Sequence, residues 1–309
     1  MKILVTGAAG NVGSALVKGL IKTGNHTIVG VDNFVTGDMQ KLPPDSTGFK
    51  FIKADVNNFE DISSILTGGK FDVVFHYAAL VGVKRTLDNP LLVLNDIEGI
   101  KHILRLSKNS GVQRVFFSSS SEVYGEPVEF PQNEHTTPLN SRLPYAVVKN
   151  VCESFLRSYH KEFGLNFTIF RFFNTYGPSQ TEDFVIPRFL KQAFSNQDIT
   201  IYGKGDQTRT FCYIDDNIDT TILCLEKGYC TNEIMNVGSD KEYSVKELAE
   251  TIVNLTASKS KIIHLPALKE GDMTRRKPDI SKMRSILSRN FVSLEQGLKK
   301  IIDTNFPKT

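Results

Sequence analysis

Residues 7–13 read Gly7-Ala8-Ala9-Gly10-Asn11-Val12-Gly13, between the β-branched run Lys2–Thr6 and the helix-like segment Val12–Lys22. Few folds place a run of spaced glycines between a strand and a helix. Glycines at this spacing make a tight turn and let backbone approach a pyrophosphate, while the helix N-terminus offers free N–H groups and the positive end of its dipole. The pattern, GxxGxxG, is a spacing variant of the dinucleotide fingerprint. Asp32 closes the next apolar run, 19 residues past Gly13, near the ~20-residue offset of the acid that takes the ribose hydroxyls. A carboxylate there repels a 2′-phosphate, so NAD is expected over NADP. Gly7, Gly10, Asn11, Val12, Gly13, Asp32 and its neighbour Asn33 are the first cofactor-binding candidates.

Further runs at Thr27–Asp32, Phe49–Ala54, Phe71–Phe75 and Val112–Ser118 alternate with helix-like segments near Phe59–Leu66 and Leu91–Asn109. The strand runs are almost continuously apolar, as in a parallel sheet covered on both faces. The expected fold class is therefore α/β, a doubly wound parallel sheet of the Rossmann type. Asp55-Val56 end the third run, where a carboxylate can bond an adenine amine. Ala78-Ala79 follow the fourth, small enough for a cofactor to pass closely. A helix over Tyr145–Phe163 and a strand over Asn166–Phe172 follow. After Asn174 the texture changes: Tyr176–Gly205 is richer in Pro, Gly and polar residues, with short helical patterns near Asp216–Glu226, Ser244–Val253 and Leu294–Thr304. The expected organisation is a nucleotide-binding domain over 1–174 and a smaller substrate-binding region over 175–309, interleaved with the first.

Composition narrows the function. With 37 Lys and Arg against 34 Asp and Glu, the net charge of +3 on 309 residues argues for neither a nucleic-acid nor a membrane partner. No apolar run nears the ~18 residues that span a bilayer, and the apolar start before Gly7 is too short for a secretion signal. Cys152, Cys212, Cys224 and Cys230 form no CxxC pair, so neither zinc nor any other metal site is expected. Free thiols in a reducing cytoplasm are the expectation.

Tyr145 and Lys149 stand at i and i+4 on one helix face, 25 residues after Ser120 in the run Ser118-Ser119-Ser120-Ser121. A free phenol has a pKa near 10, too high for a base at neutral pH, and a nearby ammonium together with a nicotinamide charge favours the phenolate. With the glycine loop and Asp32, these residues resemble the extended short-chain dehydrogenase/reductase family, in its subgroup of nucleotide-sugar epimerases, dehydratases and decarboxylases. Val123-Tyr124-Gly125, Arg171–Pro178, Gly205–Asp216 and Arg276–Ile280 carry the resemblance into the C-terminal half. It implies that Tyr145 takes the sugar 4-hydroxyl proton while hydride passes from C4 to NAD. It also implies that Ser120 shares that hydrogen bond and that Lys149 holds the nicotinamide ribose. Phe173 is implied to line the nicotinamide, and Asn174 and Arg209 to hold the nucleotide diphosphate.

The fate of the 4-keto sugar is less constrained. Ser121-Glu122 stands where dehydratases of the deoxythymidine-diphosphate-glucose type carry Asp-Glu, and Glu122 also departs from simple galactose-type epimerases. UDP-glucuronate decarboxylases resemble the chain at Ser120-Ser121-Glu122, at Arg142 three residues before the tyrosine, and at Arg276, a cation able to hold a carboxylate bidentately; a solvated basic cap is the alternative for Arg276 and the adjacent Arg275. The residues around Tyr145 and the turn Lys269-Glu270-Gly271-Asp272 instead look like epimerases. The expected activity is an NAD-dependent nucleotide-sugar 4-epimerase, with decarboxylase and 4,6-dehydratase or 4-oxidase as alternatives, and Glu122 and Arg276 as catalytic and substrate-binding candidates. A non-enzymatic dinucleotide sensor is disfavoured because Tyr145 and Lys149 are both kept. The helices at Leu91–Asn109 and Tyr145–Phe163 resemble a dimer interface of the family, so a homodimer is expected.

Overall fold

Strands and helices interleave through the first half of the chain as expected. The computed structural model describes residues 1–266 and 274–307. The order is β1 Lys2–Thr6, α1 Asn11–Lys22, β2 Thr27–Asp32, β3 Phe49–Lys53, α2 Phe59–Gly69, β4 Val73–His76, α3 Val83–Asp88, α4 Pro90–Leu94, α5 Asp96–Asn109, β5 Arg114–Ser120, α6 Pro144–Phe163 and β6 Asn166–Phe172. There follow β7 Thr175–Tyr176, α7 Val185–Phe194, β8 Ile199–Tyr202, β9 Thr208–Thr210, β10 Cys212–Tyr213, α8 Ile214–Glu226, β11 Glu233–Val237, β12 Glu242–Ser244, α9 Val245–Thr256, β13 Ile262–Leu265, α10 Ser281–Ile286 and α11 Leu294–Asn305.

Seven strands form one sheet in the order β11-β6-β5-β4-β1-β2-β3, every neighbouring pair parallel. The apolar runs are continuous because each strand is buried on both sides. Ile3, Val5, Phe75 and Phe116 pack on the face of α1 and α8, while Leu4, Val74, Val115 and Phe117 pack on the face of α2, α5 and α6. Fully burying each such side chain contributes about 1.5–3 kcal/mol. The order of connection reverses between β1 and β4, the position at which doubly wound sheets open a crevice at their carboxyl ends. β11 comes from the C-terminal half yet extends the main sheet beyond β6.

Several expectations shift. The helix over Leu91–Asn109 is divided at Asn95, whose N–H bonds back to the carbonyls of Leu91 and Val93, and Asp96 then spends its carboxylate on the N–H of Leu80 at 2.8 Å. Strand β5 runs two residues later than the apolar run Val112–Ser118, through Ser120. α7 lies inside the stretch read as loop-rich, its apolar face formed by Ile186, Phe189, Leu190 and Ala193.

The helix that carries Tyr145 is fastened by a buried ion pair. Arg171 on β6 donates Nε to Glu153 Oε1 (3.0 Å) and Nη2 to Oε2 (2.7 Å), and Ser119 on β5 donates to Oε1 at 2.6 Å. Neither charged side chain reaches solvent appreciably. Removing one member of such a pair strands the other charge and costs about 3–5 kcal/mol. Glu153→Ala should lower unfolding free energy by that order in a urea titration; a loss below about 1 kcal/mol, the scale of a surface pair, would show that the pair does not fasten α6.

Candidate active site

A cleft of about 390 Å³ opens at the carboxyl ends of β1, β2, β4 and β5. Its floor is the glycine turn. Gly7 has φ +68°, and a Cβ there would lie 2.7 Å from the N of Ala78 and 2.8 Å from the carbonyl oxygen of Tyr77; a Cβ on Gly13 would lie 2.0 Å from the carbonyl oxygen of Gly7. Only glycines let this turn close on itself and on the end of β4. Gly10, Asn11 and Val12 also line the cleft, and Asn11 Oδ1 is buried with no protein partner.

Asp32, at the end of β2, accepts from Ala9 N at 2.9 Å and Phe34 N at 2.8 Å. Each carboxylate oxygen keeps further acceptor capacity, and the residue lines the cleft. Asn33 donates Nδ2 to Asp55 Oδ2 at 3.1 Å, and Val56, Ala78 and Ala79 complete that wall. A glycine cradle, an unpartnered amide oxygen and a positioned carboxylate suit a dinucleotide, which Gly7, Gly13, Asn11 and Asp32 would hold.

At the other end stand Ser120, Tyr145 and Lys149. Ser120 is the last residue of β5, and Tyr145 lies in the first turn of α6, where Pro144 starts the helix. Lys149, one turn on, donates Nζ to the carbonyl oxygen of Ser118 at 2.7 Å and sits 5.7 Å from the Tyr145 ring centre. The Ser120 hydroxyl is hydrogen-bonded to Tyr145. Burial pushes the Lys149 ammonium below its ordinary pKa. Burial, then the Glu122 carboxylate, raises the Tyr145 phenol well above its ordinary value, with the Ser120 bond and the Arg276 charge opposing only in part. In the protein without cofactor, burial outweighs the nearby positive charge; the expectation that ammonium and nicotinamide charge together favour phenolate concerns the loaded enzyme.

Arg276 reaches the cleft although it is only 6% exposed. Its Nη2 donates to Glu122 Oε1 at 2.7 Å and its Nη1 to Ser121 Oγ at 3.5 Å, while Glu122 Oε2 is buried without a protein partner. Asn174, at φ +37°, lines the cleft and donates Nδ2 to the carbonyl oxygen of Thr210 at 2.9 Å.

Other expected residues lie elsewhere. The Phe173 side chain is fully buried against Tyr124, ring centres 6.0 Å apart, and its neighbour Phe172 lines the cleft instead. Backbone pairing of Phe173 N with the carbonyl oxygen of Val237, at 2.9 Å, fixes that orientation. Arg209 sits on β9 outside the cleft lining and donates Nη1 to the carbonyl oxygen of Thr208 at 2.8 Å. Arg142 is exposed and also outside the lining, and Lys269–Asp272 falls outside the described residues. Among the described residues no cluster of His, Cys, Asp or Glu could hold a metal ion, and no helix is long and apolar enough to cross a membrane.

Sequence reading missed Asp96. It lines the cleft, accepts from Leu80 N and from Asn57 Nδ2 (3.2 Å), and has its carboxyl raised by burial. The one available signal was the Asn95-Asp96 pair interrupting an apolar helical pattern.

Residues 3–238 match the NAD dependent epimerase/dehydratase family. Among curated relatives, the UDP-N-acetyl-alpha-D-glucosaminuronate decarboxylase of Bacillus cytotoxicus is 36% identical over 97% of this chain and 96% of that protein. Among solved structures, the UDP-glucose 4-epimerase of Thermotoga maritima superposes with a TM-score of 0.91 at 31% identity, covering 98% of both chains. The UDP-glucuronic acid 4-epimerase of Bacillus cereus, bound to UDP-glucuronic acid and NAD, gives 0.89 at 34% identity over 98% of both. The glycine turn, Asp32 and the Ser120–Tyr145–Lys149 group thus stand in a chain that belongs to the NAD-dependent epimerase/dehydratase family of enzymes acting on nucleotide sugars.

Proposed function

We propose that this enzyme oxidises C4 of a UDP-linked uronic acid and then releases the C6 carboxylate as CO2. The observation that carries the reading is the Arg276–Glu122 pair in the same cleft as Ser120 and Tyr145. A sugar carboxylate gives that cation an anionic partner beside Glu122 that a neutral sugar ring does not.

NAD, when bound, supplies the hydride acceptor and donor for C4. Tyr145 takes the 4-hydroxyl proton, with Ser120 sharing the hydrogen bond. Once C4 is a ketone, the C6 carboxylate is that of a β-keto acid: the C5–C6 bond breaks, CO2 leaves, and the electron pair moves onto the C4 oxygen as an enolate. The proton now on Tyr145 stabilises that oxygen. Glu122, with one oxygen unpartnered, handles the proton that C5 must gain. The relative with the uronate decarboxylase name supports this order of events. The outcome expected from sequence, 4-epimerisation, is the second reading. It is favoured by Arg142, which the decarboxylase resemblance implicates but which lies outside the cleft lining. Exposed Leu91 and Leu94 on α4 and Val147 on α6 support pairing with a second copy, and sedimentation of the purified protein as a monomer would rule that pairing out.

Because burial raises the phenol, cofactor-free protein should show no tyrosinate absorbance from Tyr145 up to pH ~10, the ordinary phenol value; a wild-type minus Tyr145→Phe difference spectrum with an ionising step near neutrality would contradict this. Tyr145→Phe should also lower turnover about 10²–10⁴-fold.

Incubation with UDP-glucuronate and UDP-N-acetylglucosaminuronate in heavy water separates the two readings. The proposal expects CO2 and one deuterium at C5 of the product. Inversion at C4 with neither CO2 nor C5 deuterium would assign the epimerase.

A further inference from the structure

Arg275, Arg276 and Lys277 are three consecutive cations, and the fold sends them in two directions. Residues 275–278 are held strand-like by two isolated bridges, through Arg275 to Thr208 of β9 and through Pro278 to Gln132. Arg276 and Pro278 turn inward and are buried, while Arg275 and Lys277 are partly exposed. On the inward side Arg276 meets Glu122. On the outward side one carboxylate takes both flanking cations. Glu242 of β12 accepts Arg275 Nε on Oε1 (2.5 Å) and Nη2 on Oε2 (2.7 Å), and Lys277 Nζ lies 3.2 Å from Oε2. Glu242 Oε1 also accepts the Thr208 hydroxyl at 3.2 Å, and β12 pairs antiparallel with β9, Glu242 opposite Thr210.

We propose that Glu242 is a positioning residue: by gripping the cations on either side of Arg276, it fixes the rotation of this extended segment so that Arg276 faces Glu122 and the carboxylate of the substrate. The inference rests on the uronate reading above.

The physical reason is the period of extended backbone. Successive side chains point to opposite faces, so a rotation or one-residue slip exchanges all of them at once. With three cations in a row, either neighbour of Arg276 could answer an inward carboxylate. A fixed acceptor outside selects the register, and a bidentate carboxylate does so with directional bonds. The hydrogen bond from Arg275 first, with a lesser one from Lys277, holds the Glu242 carboxyl down at about 2 against its partial burial, so the grip stays charged through any neutral assay. The segment has other anchors. Gln132 N donates to the carbonyl oxygen of Lys277 at 2.7 Å, and the Arg275 guanidinium lies 4.1 Å from the Phe130 ring centre. Loss of Glu242 should therefore loosen the aim of Arg276 without unfolding the protein.

The test uses the NAD-loaded enzyme carrying Tyr145→Phe, so that the probes bind with little turnover, with UDP-glucuronate and UDP-glucose as calorimetric probes that differ only at C6, a carboxylate against a hydroxymethyl group. Glu242→Gln keeps the shape and removes the charge. It should weaken UDP-glucuronate about tenfold, within the range of coupled neighbours, and leave UDP-glucose unchanged. In an Arg276→Gln background it should add no further loss, because it acts through Arg276. Equal weakening of both probes, or a further loss in the double variant, would make Glu242 a general staple and overturn the inference. Arg276→Gln alone separates the two levels of argument. If it leaves UDP-glucuronate affinity intact, the uronate reading fails and this inference fails with it. If it costs affinity while Glu242→Gln does not, only the positioning role fails.

Discussion

Glu153 and Arg171 meet inside the protein, and the catalytic geometry depends on their contact. Glu153 lies one turn beyond Lys149 and two beyond Tyr145 on α6, so all three share a helix face. Its carboxylate is held by Arg171 from β6 and by Ser119 from β5, the residue just before Ser120. A helix with an apolar face alone can slide or rotate by a fraction of a turn at small cost. A buried bidentate pair cannot, because any displacement leaves a charge unsolvated. The same guanidinium donates Nη1 to Tyr124 (2.9 Å), whose hydroxyl donates to Asn236 Oδ1 (2.7 Å). Asn236 in turn donates Nδ2 to the carbonyl oxygen of Gln132 (2.9 Å), and Gln132 N donates to the carbonyl oxygen of Lys277, beside Arg276. One continuous set of hydrogen bonds therefore connects the tyrosine helix to the segment that carries Arg276.

The electrostatics of the cleft follow from what is buried. Lys149 gives one of its three donors to the carbonyl oxygen of Ser118, and burial lowers its pKa, so its charge is already costly. Burial first, then the Glu122 carboxylate, opposes ionisation of Tyr145. The protein therefore keeps the phenol protonated until a further positive charge is brought beside it. That arrangement suits a base that must act only when the full complex has assembled, since a permanent phenolate would bind solvent protons and ions instead.

The parallel sheet was legible in the sequence because burial on both faces forces nearly continuous apolar strands, a pattern few other structures require. The glycine turn, Asp32, Ser120, Tyr145 and Lys149 were legible because their spacing follows from that sheet: each sits at or just past a strand end or in the first two turns of a helix. Legibility fell where side-chain direction decides. Phe172 and Phe173 are adjacent and chemically alike, and only the departure from β6 and the bond from Phe173 N to Val237 reveal which one faces the cleft. Asp96 was hidden because a carboxylate in a helical pattern normally marks the solvated face. The raising of the Tyr145 phenol by burial in the cofactor-free protein was not legible, because sequence shows which charges are near but not how much water is excluded.

What separates the possible products is geometry rather than new chemistry. After C4 oxidation a uronate is a β-keto acid, and the enzyme need not force its C5–C6 bond to break. The bond breaks readily when it stands perpendicular to the plane of the C4 carbonyl, where its electrons overlap the π system, and resists when it lies in that plane. A cation that holds the carboxylate fixes this angle. Decarboxylase and uronate 4-epimerase activity can therefore share Tyr145, Ser120, Lys149 and even Arg276, and differ only in where the guanidinium holds C6. In this chain Arg276 is itself constrained by Glu122 within the cleft and by the grip on its two neighbours outside it. On the proposed uronate reading, a carboxylate held still by that guanidinium while C4 is a ketone is the condition under which CO2 departs, whereas 4-epimerisation needs a contact that follows the rotating sugar ring.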